Sequence, residues 1–149
     1  MGYKNTQIGY FTILVFGIVL IFLSVITFSG GINPAEQPIL NGALLLFLLL
    51  FINFSSLTVQ VNRRELIWYF GPGVWKYRIP IEQIRDVSEV KTNPLEGVGF
   101  RWNPLKGWLY NVSGLKAVKV IQKDGKATRI GTNEPEQLVQ AIREELNYL

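Results

Sequence analysis

The sequence predicts an α+β membrane protein, in which a two-helix transmembrane hairpin precedes a domain of seven strands and one helix. Two long apolar segments occupy the first third of the 149 residues. Short segments that alternate apolar and polar residues follow, and an amphipathic segment ends the chain. We therefore divide the chain into a helical hairpin, residues 1–56, and a β-rich domain, residues 57–149.

The first apolar segment runs from Ile8 to Phe28 and contains no charged residue. Roughly twenty residues with a rise of ~1.5 Å each span ~30 Å, which is enough to cross the hydrocarbon core of a bilayer. A signal peptide is the alternative, but its apolar region has only ~7–15 residues, and Ser29 to Gly31 offers no Ala-x-Ala cleavage site. We predict a first span over residues 8–28.

The second apolar segment begins near Pro38, a residue suited to the first turn of a helix, and contains the run Leu44–Phe51. The alternative is a buried core helix. A chain of this size has no core that can enclose a helix apolar on every face. We therefore predict a second span over about residues 38–56.

The distribution of basic residues predicts the orientation of the hairpin. Lys4 precedes the first span, Arg63 and Arg64 follow the second, and the connector between the spans has no Lys or Arg. The positive-inside rule then places both termini in the cytoplasm. Neither span contains Asp, Glu, Lys or Arg, so no ion pathway is predicted.

Small residues recur along one face of the first span, at Gly9, Gly17 and Ser24. Such residues let helix backbones approach closely in lipid. The pattern favours packing against the second span of the same chain, with a homo-oligomer contact as the alternative.

Alternation of apolar and polar residues, bounded by turn residues, predicts the strands of the domain. Asp124-Gly125 is typical of a type I′ hairpin turn. Residues 91–107 show no regular pattern and are predicted to be irregular. The predicted strands cover residues 57–61, 65–70, 75–79, 85–90, 108–111, 117–122 and 126–130.

The chain is predicted to end in a helix that packs on the sheet. Thr132 or Asn133 can cap it, and Glu136 can complete a capping box with Asn133. Membrane-surface binding is the alternative, but the helix has no basic face. Together with the strands, this helix predicts a bent antiparallel sheet or open barrel with a helical cap. The apolar stripe consists of Leu138, Ala141, Ile142, Leu146 and Leu149.

The composition argues against an enzyme. The chain has no Cys and no His, which removes disulfides, the commonest metal ligands and the commonest general bases. It has no phosphate-binding glycine motif and no carboxylate pair placed for acid–base chemistry. We predict no catalytic residues and no cofactor. Nucleic-acid binding is not predicted either, because acidic residues interleave with the bases that give the net charge of +4.

Two groups of residues are candidates for contact with lipid or a partner. Arg63, Arg64, Lys76 and Arg78 could form a patch for anionic head groups, the alternative being an ordinary solvated face beside Glu65 and Glu82. The second group could be an interfacial anchor or a partner-binding loop, because Trp favours half-wet environments, but the sequence favours the structural alternative. In its alternative the Trp side chains fill the edge of the core while the bases point outward. This second group is Arg101, Trp102, Lys106 and Trp108.

A resemblance to known proteins rests on the order of elements and on three stretches of the domain, residues 97–101, 107–114 and 129–138. In these features the chain resembles bacterial membrane proteins with a pleckstrin-homology-like domain. The resemblance implies a seven-stranded fold with a C-terminal helix, located at the cytoplasmic membrane, and supplies no catalytic residue. Eukaryotic members of the wider fold often bind phosphoinositides through bases on their first two strands and the turn between them. The resemblance places Arg63 and Arg64 in that turn, whereas the second strand has Leu66 and Trp68 where bases would be needed.

We therefore expect a membrane-anchored interaction or scaffold module that binds a protein partner or an anionic lipid surface. The competing expectation is an accessory subunit of a larger membrane complex or transporter, which acts through its transmembrane helices. Co-purification in mild detergent separates the two expectations. Loss of partners when the domain is deleted favours the interaction module, and loss of partners when the spans are exchanged favours the accessory subunit.

Overall fold

The computed structural model describes residues 2–93 and 99–148. Within them the chain forms three α-helices and nine β-strands. The helices are α1 Tyr10–Phe28, α2 Gln37–Phe54 and α3 Pro135–Asn147. The strands are β1 Tyr3–Ile8, β2 Ser56–Val61, β3 Glu65–Phe70, β4 Lys76–Pro80, β5 Ile84–Lys91, β6 Gly99–Asn103, β7 Gly107–Asn111, β8 Lys116–Gln122 and β9 Ala127–Gly131.

Both α1 and α2 are long and apolar enough to cross a membrane, by length and composition. They pack side by side, with the rings of Phe16 and Phe47 6.2 Å apart. The predicted packing of the small-residue face on the second helix does not hold at Gly17, because a Cβ atom there would meet no atom within 4 Å. Gly9 instead lies against Val112 and the backbone at the end of α2.

The N-terminal residues form a strand that the sequence did not predict. β1 pairs antiparallel with β2 in a register that runs from Tyr3 opposite Val61 to Ile8 opposite Ser56. Tyr3 also packs against the hydrophobic core. As a result α1 begins at Tyr10 rather than at Ile8, and Tyr3–Ile8 joins the sheet instead of the helical hairpin.

The predicted α+β class is confirmed, but the described residues contain nine strands rather than the seven predicted for a bent antiparallel sheet or open barrel. The additional strands are β1 and β6, and the nine described strands form two sheets that do not close into a barrel. The first sheet has the order β1-β2-β3-β4 and the second β5-β8-β9-β7-β6. β7 and β9 are parallel, which alternation along a sequence cannot reveal. Part of the predicted irregular region, residues 94–98, lies outside the described residues.

The hydrophobic core lies between the two sheets and α3. Leu57 and Leu66 of the first sheet and Ile130 of the second are fully buried, as are Leu138 and Ile142 of α3. The predicted apolar stripe of the C-terminal helix is thus confirmed, although Leu149 lies outside the described residues. The burial of these side chains is the main force that closes the domain.

Two local predictions are wrong in detail. α3 has Glu134 at its N-cap without a side-chain cap, so the capping box does not form, and Thr132 Oγ1 accepts a hydrogen bond from Glu134 N at 3.1 Å. The β8–β9 hairpin exists, but only Gly125 in its turn has a positive φ (+88°), whereas a type I′ turn requires two such residues. Asp124 Oδ1 accepts a hydrogen bond from Lys126 N at 3.0 Å and stabilises the turn.

Candidate functional site

One end of the β-domain lies against the helices, and we call it the helix-proximal end. Gly9 N donates a hydrogen bond to Ser55 O at 2.8 Å, and Thr12 Oγ1 donates one to Val112 O at 3.0 Å. The β3–β4 turn touches the end of α2 through Gly71. The β2–β3 and β6–β7 turns lie at the opposite ends of their strands, which we call the helix-distal end.

Arg63 and Arg64 lie at the helix-distal end. They follow β2, whose first residue, Ser56, is at the helix-proximal end, and six residues at ~3.3 Å each place Asn62 about 20 Å away. The turn is fixed because Asn62 Oδ1 accepts hydrogen bonds from Arg64 N at 2.9 Å and Glu65 N at 2.8 Å. Both arginine side chains are exposed.

Lys76 and Arg78 project from the outer face of β4. Lys76 lies near the helix-proximal end, opposite Tyr69, and its Nζ is 5.5 Å from the centre of the Tyr69 ring. Arg78 lies farther along the strand and forms an ion pair with Glu65 at 3.8 Å. The four predicted bases are therefore spread along the first sheet, and the structure does not bring them into one patch.

The sequence interpretation missed residues that do share the helix-proximal end. Lys91 and Lys116 pair directly across β5 and β8 at this end, and both are exposed. Val74 and Trp75, in the β3–β4 turn, are 67% and 71% exposed. Only the direction of each strand relative to the helices shows that these residues are neighbours of the hairpin, and no linear motif carries that information.

The second group of candidate residues is brought together by the β6–β7 hairpin, which we call the aromatic hairpin (residues 99–111). Trp102 and Trp108 are directly opposite each other, with ring centres 6.5 Å apart. Asn103 Oδ1 fixes the turn by accepting hydrogen bonds from Leu105 N at 2.9 Å and Lys106 N at 3.1 Å. Trp102 is 60% exposed, Leu105 94% and Trp108 39%.

The predicted alternative, in which the Trp side chains fill the edge of the core, agrees with their direction. Trp102 and Trp108 lie on the same face of the sheet as buried Tyr110, whereas Arg101 lies on the opposite face. Their exposure shows that they extend beyond the core. They also lie at the helix-distal end, so a role as an anchor beside the apolar helices does not fit their position.

A continuous series of aromatic rings joins this hairpin to the core. Phe100 stacks on Trp108 with ring centres 4.8 Å apart, and it lies 5.4 Å from Tyr110 and 6.4 Å from Tyr77. Burial, with a smaller contribution from Tyr77, raises the pKa of Tyr110 to about 12. The neutral phenol is thus strongly favoured in the folded domain.

Alkaline pH is expected to destabilise the domain through Tyr110. Between pH ~10, where the tyrosines of an unfolded chain ionise, and pH ~12, the unfolded state binds fewer protons, so the free energy of unfolding falls as pH rises. Below pH ~10 the phenol is protonated in both states and contributes no pH dependence. Urea unfolding of the full chain in detergent micelles, followed by Trp fluorescence from pH ~8 to ~11, measures this fall.

The matched variant for this prediction is Tyr110→Phe, which keeps the ring and removes the ionisable group. Its stability should fall less steeply with pH. Burial also raises the pKa of Tyr3 to about 12, so Tyr3 still contributes to the pH dependence of this variant. The free energy of unfolding of the double variant Tyr3→Phe/Tyr110→Phe should therefore depend even less on pH. Equal slopes for the parent chain and both variants would show that these phenols do not control alkaline stability.

No model of a known protein family matches this chain, and no curated protein matches it. Among residues 2–93 and 99–148, no group of three or more Asp or Glu side chains is placed to hold a metal ion. What the chain does is therefore inferred from three features of its structure: the apolar helices, the helix-proximal lysines and the aromatic hairpin.

Proposed function

We propose that the chain is a non-enzymatic, membrane-tethered interaction module whose aromatic hairpin binds a protein partner on the cytoplasmic side of a bacterial inner membrane. The observation that carries the proposal is the exposed Trp102–Trp108 pair at the helix-distal end. Two sheets closed by a C-terminal helix also support a pleckstrin-homology-like domain, with two strands more than predicted.

In this proposal α1 and α2 together anchor the domain in the membrane. The pairing of β1, which precedes α1, with β2, which follows α2, supports a hairpin whose two ends emerge on the same side of the bilayer. Lys4, Arg63 and Arg64 lie on that side, and the connector between the helices has no Lys or Arg, which favours a cytoplasmic domain.

The helix-proximal end then faces the lipid head groups. Lys76, Lys91 and Lys116 are exposed there, and each base near an anionic surface contributes ~1 kcal/mol of attraction. Arg63 and Arg64, about 20 Å farther from the helices, lie beyond the ~8 Å over which physiological salt screens such charges. Lipid contact is therefore assigned to the three lysines rather than to the arginine turn.

The aromatic hairpin suits a protein partner for two reasons. Aromatic and Arg side chains are enriched in protein interfaces, and Trp dominates their hot spots. The side chains are also held in place, because Trp102 and Trp108 pair across two hydrogen-bonded strands and Asn103 fixes the turn between them. The hairpin therefore loses little conformational freedom when a partner binds.

Crosslinking followed by co-purification tests the proposal. A photoreactive residue in place of Leu105, which is 94% exposed, should crosslink one defined protein in intact cells. Trp102→Ala should reduce recovery of that protein in mild detergent by about tenfold or more, the effect of losing a hot spot worth ~2 kcal/mol.

The matched control is Trp75→Ala, the same change at an exposed Trp of the helix-proximal end. It should leave recovery unchanged. Equal recovery with Trp102→Ala and the parent chain would contradict the proposal. If recovery is instead lost when α1 and α2 are exchanged for unrelated spans, the chain acts as an accessory subunit through its helices.

A further inference from the structure

An apolar groove opens where the C-terminal end of α2 meets the β3–β4 turn. Its cavity volume is about 600 Å³, within the ~300–1,000 Å³ typical of small-molecule sites. The α2 helix contributes one wall, the β3–β4 turn the other, and aromatic side chains the inner end. Among the lining residues are Leu49, Ile52, Val74, Trp75, Tyr77 and Phe100.

The mouth of the groove is continuous with the exposed apolar surface of α2. Leu49 and Ile52 are 56% and 46% exposed, and within Gln37–Phe54 no residue is buried. Val74 and Trp75 of the opposite wall are more exposed still. A Trp in this position matches the level of lipid head groups when the neighbouring helix spans a bilayer.

The inner end of the groove reaches the gap between β4 and β6, the strands at one edge of each sheet. The rings of Tyr77 and Phe100 stack across this gap, 6.4 Å apart. Phe54 of α2 and Phe70 of β3 pack together beside it, with ring centres 5.2 Å apart. The groove therefore leads from the surface of α2 into the aromatic part of the domain.

We propose that this groove binds one acyl chain of a phospholipid from the leaflet next to the domain. The inference rests on the membrane placement proposed above. When α2 spans a bilayer, the mouth opens toward the lipid, and the polar side-chain groups of the lining are the Asn53 amide, the Trp75 indole N–H and the Tyr77 hydroxyl. A peptide in the groove would leave most of its backbone hydrogen-bonding groups without partners, whereas an acyl chain needs none. Lys76, next to Trp75 and exposed, can meet the phosphate of the same lipid.

Photolabelling of the full chain in lipid nanodiscs tests the groove. The probe is a phosphatidylglycerol with a diazirine in its acyl chain, and the labelled residues are mapped by mass spectrometry. Labels are expected on Tyr77 and Phe100, in addition to Leu14 and Ile18 on the exposed surface of α1.

Val74→Trp enlarges a side chain at the mouth and should abolish labelling of Tyr77 and Phe100. The control is Val25→Trp, the same change at a comparably exposed position of α1 (62% against 67%), and it should keep the labels. If circular dichroism shows that Val74→Trp disturbs the fold, Leu49→Trp on the opposite wall replaces it.

Four results would overturn the inference, and the last of them would also overturn the membrane placement. Labels on α1 without labels on Tyr77 and Phe100 would show that acyl chains do not enter. Labels that persist when the correctly folded mouth variant is used would show that the lipid reaches these rings by another route. A photoreactive residue at Trp75 that crosslinks a protein in place of lipid would assign the groove to a protein segment. Absence of labels from both helices would instead refute the membrane placement, and the groove proposal with it.

Discussion

Replacing Leu138 with alanine is expected to lower the free energy of unfolding of the β-domain by about 2–5 kcal/mol, the usual cost of truncating a buried leucine. Leu138 is fully buried in the core formed by α3 and the two sheets. Truncation removes its apolar contacts and leaves a cavity that the paired strands cannot collapse around. Urea unfolding of the full chain in detergent micelles measures the loss. Trp fluorescence reports the domain alone, because all four Trp residues lie within it.

The control for this prediction is Leu115→Ala, the same change at a side chain that is 48% exposed in the β7–β8 loop. It should cost less than about 1 kcal/mol, since surface substitutions have small effects. Similar losses for Leu138→Ala and Leu115→Ala would mean that α3 does not close the core as the structure indicates.

The elements that the sequence predicted well are those whose signal is local. α1 and α2 follow from the length and composition of their apolar runs, and α3 follows from the spacing of Leu138, Ile142 and Leu146. β2 alternates apolar and polar residues in the sequence, and β3 is a short apolar run whose every second side chain is buried in the core. In each case the residues that define the element are close together in the chain.

The strands that the sequence did not predict depend on distant partners. β1 has a mostly polar middle, and its partner β2 comes only after the entire helical hairpin. β6 is a short edge strand with Gly99 at one end and an Asn-Pro turn after it, so its residues resemble a loop until β7 pairs with them. The parallel contact of β7 with β9 depends on how the second sheet is assembled.

The candidate sites show the same division between local and global information. Sequence patterns identified Trp102 and Trp108 as candidate contact residues, and the structure pairs them on one hairpin. They could not show that Arg63 lies at the end of the domain farthest from α2, or that Lys116 lies near α1. Such positions depend on strand direction, which only the assembled sheets define.

The substitution Gly71→Ala is expected to destabilise the domain by about 2–5 kcal/mol, because Gly71 is where the β3–β4 turn meets the end of α2. Its φ of +48° costs other residues ~1–2 kcal/mol. An added Cβ would also lie 2.5 Å from Ile52 O and 2.7 Å from Asn53 O, and such overpacking costs a further ~1–3 kcal/mol. The same urea unfolding measurement applies.

Gly125→Ala separates these two contributions. Gly125 also has a positive φ (+88°), but a Cβ there would meet no atom within 4 Å, so the expected cost is the conformational ~1–2 kcal/mol alone. A larger loss at Gly71 would show that the turn and the end of α2 are packed as one unit, which fixes the domain relative to the hairpin. Equal losses would show that the turn moves away from α2 at little cost, and that this contact does not orient the domain.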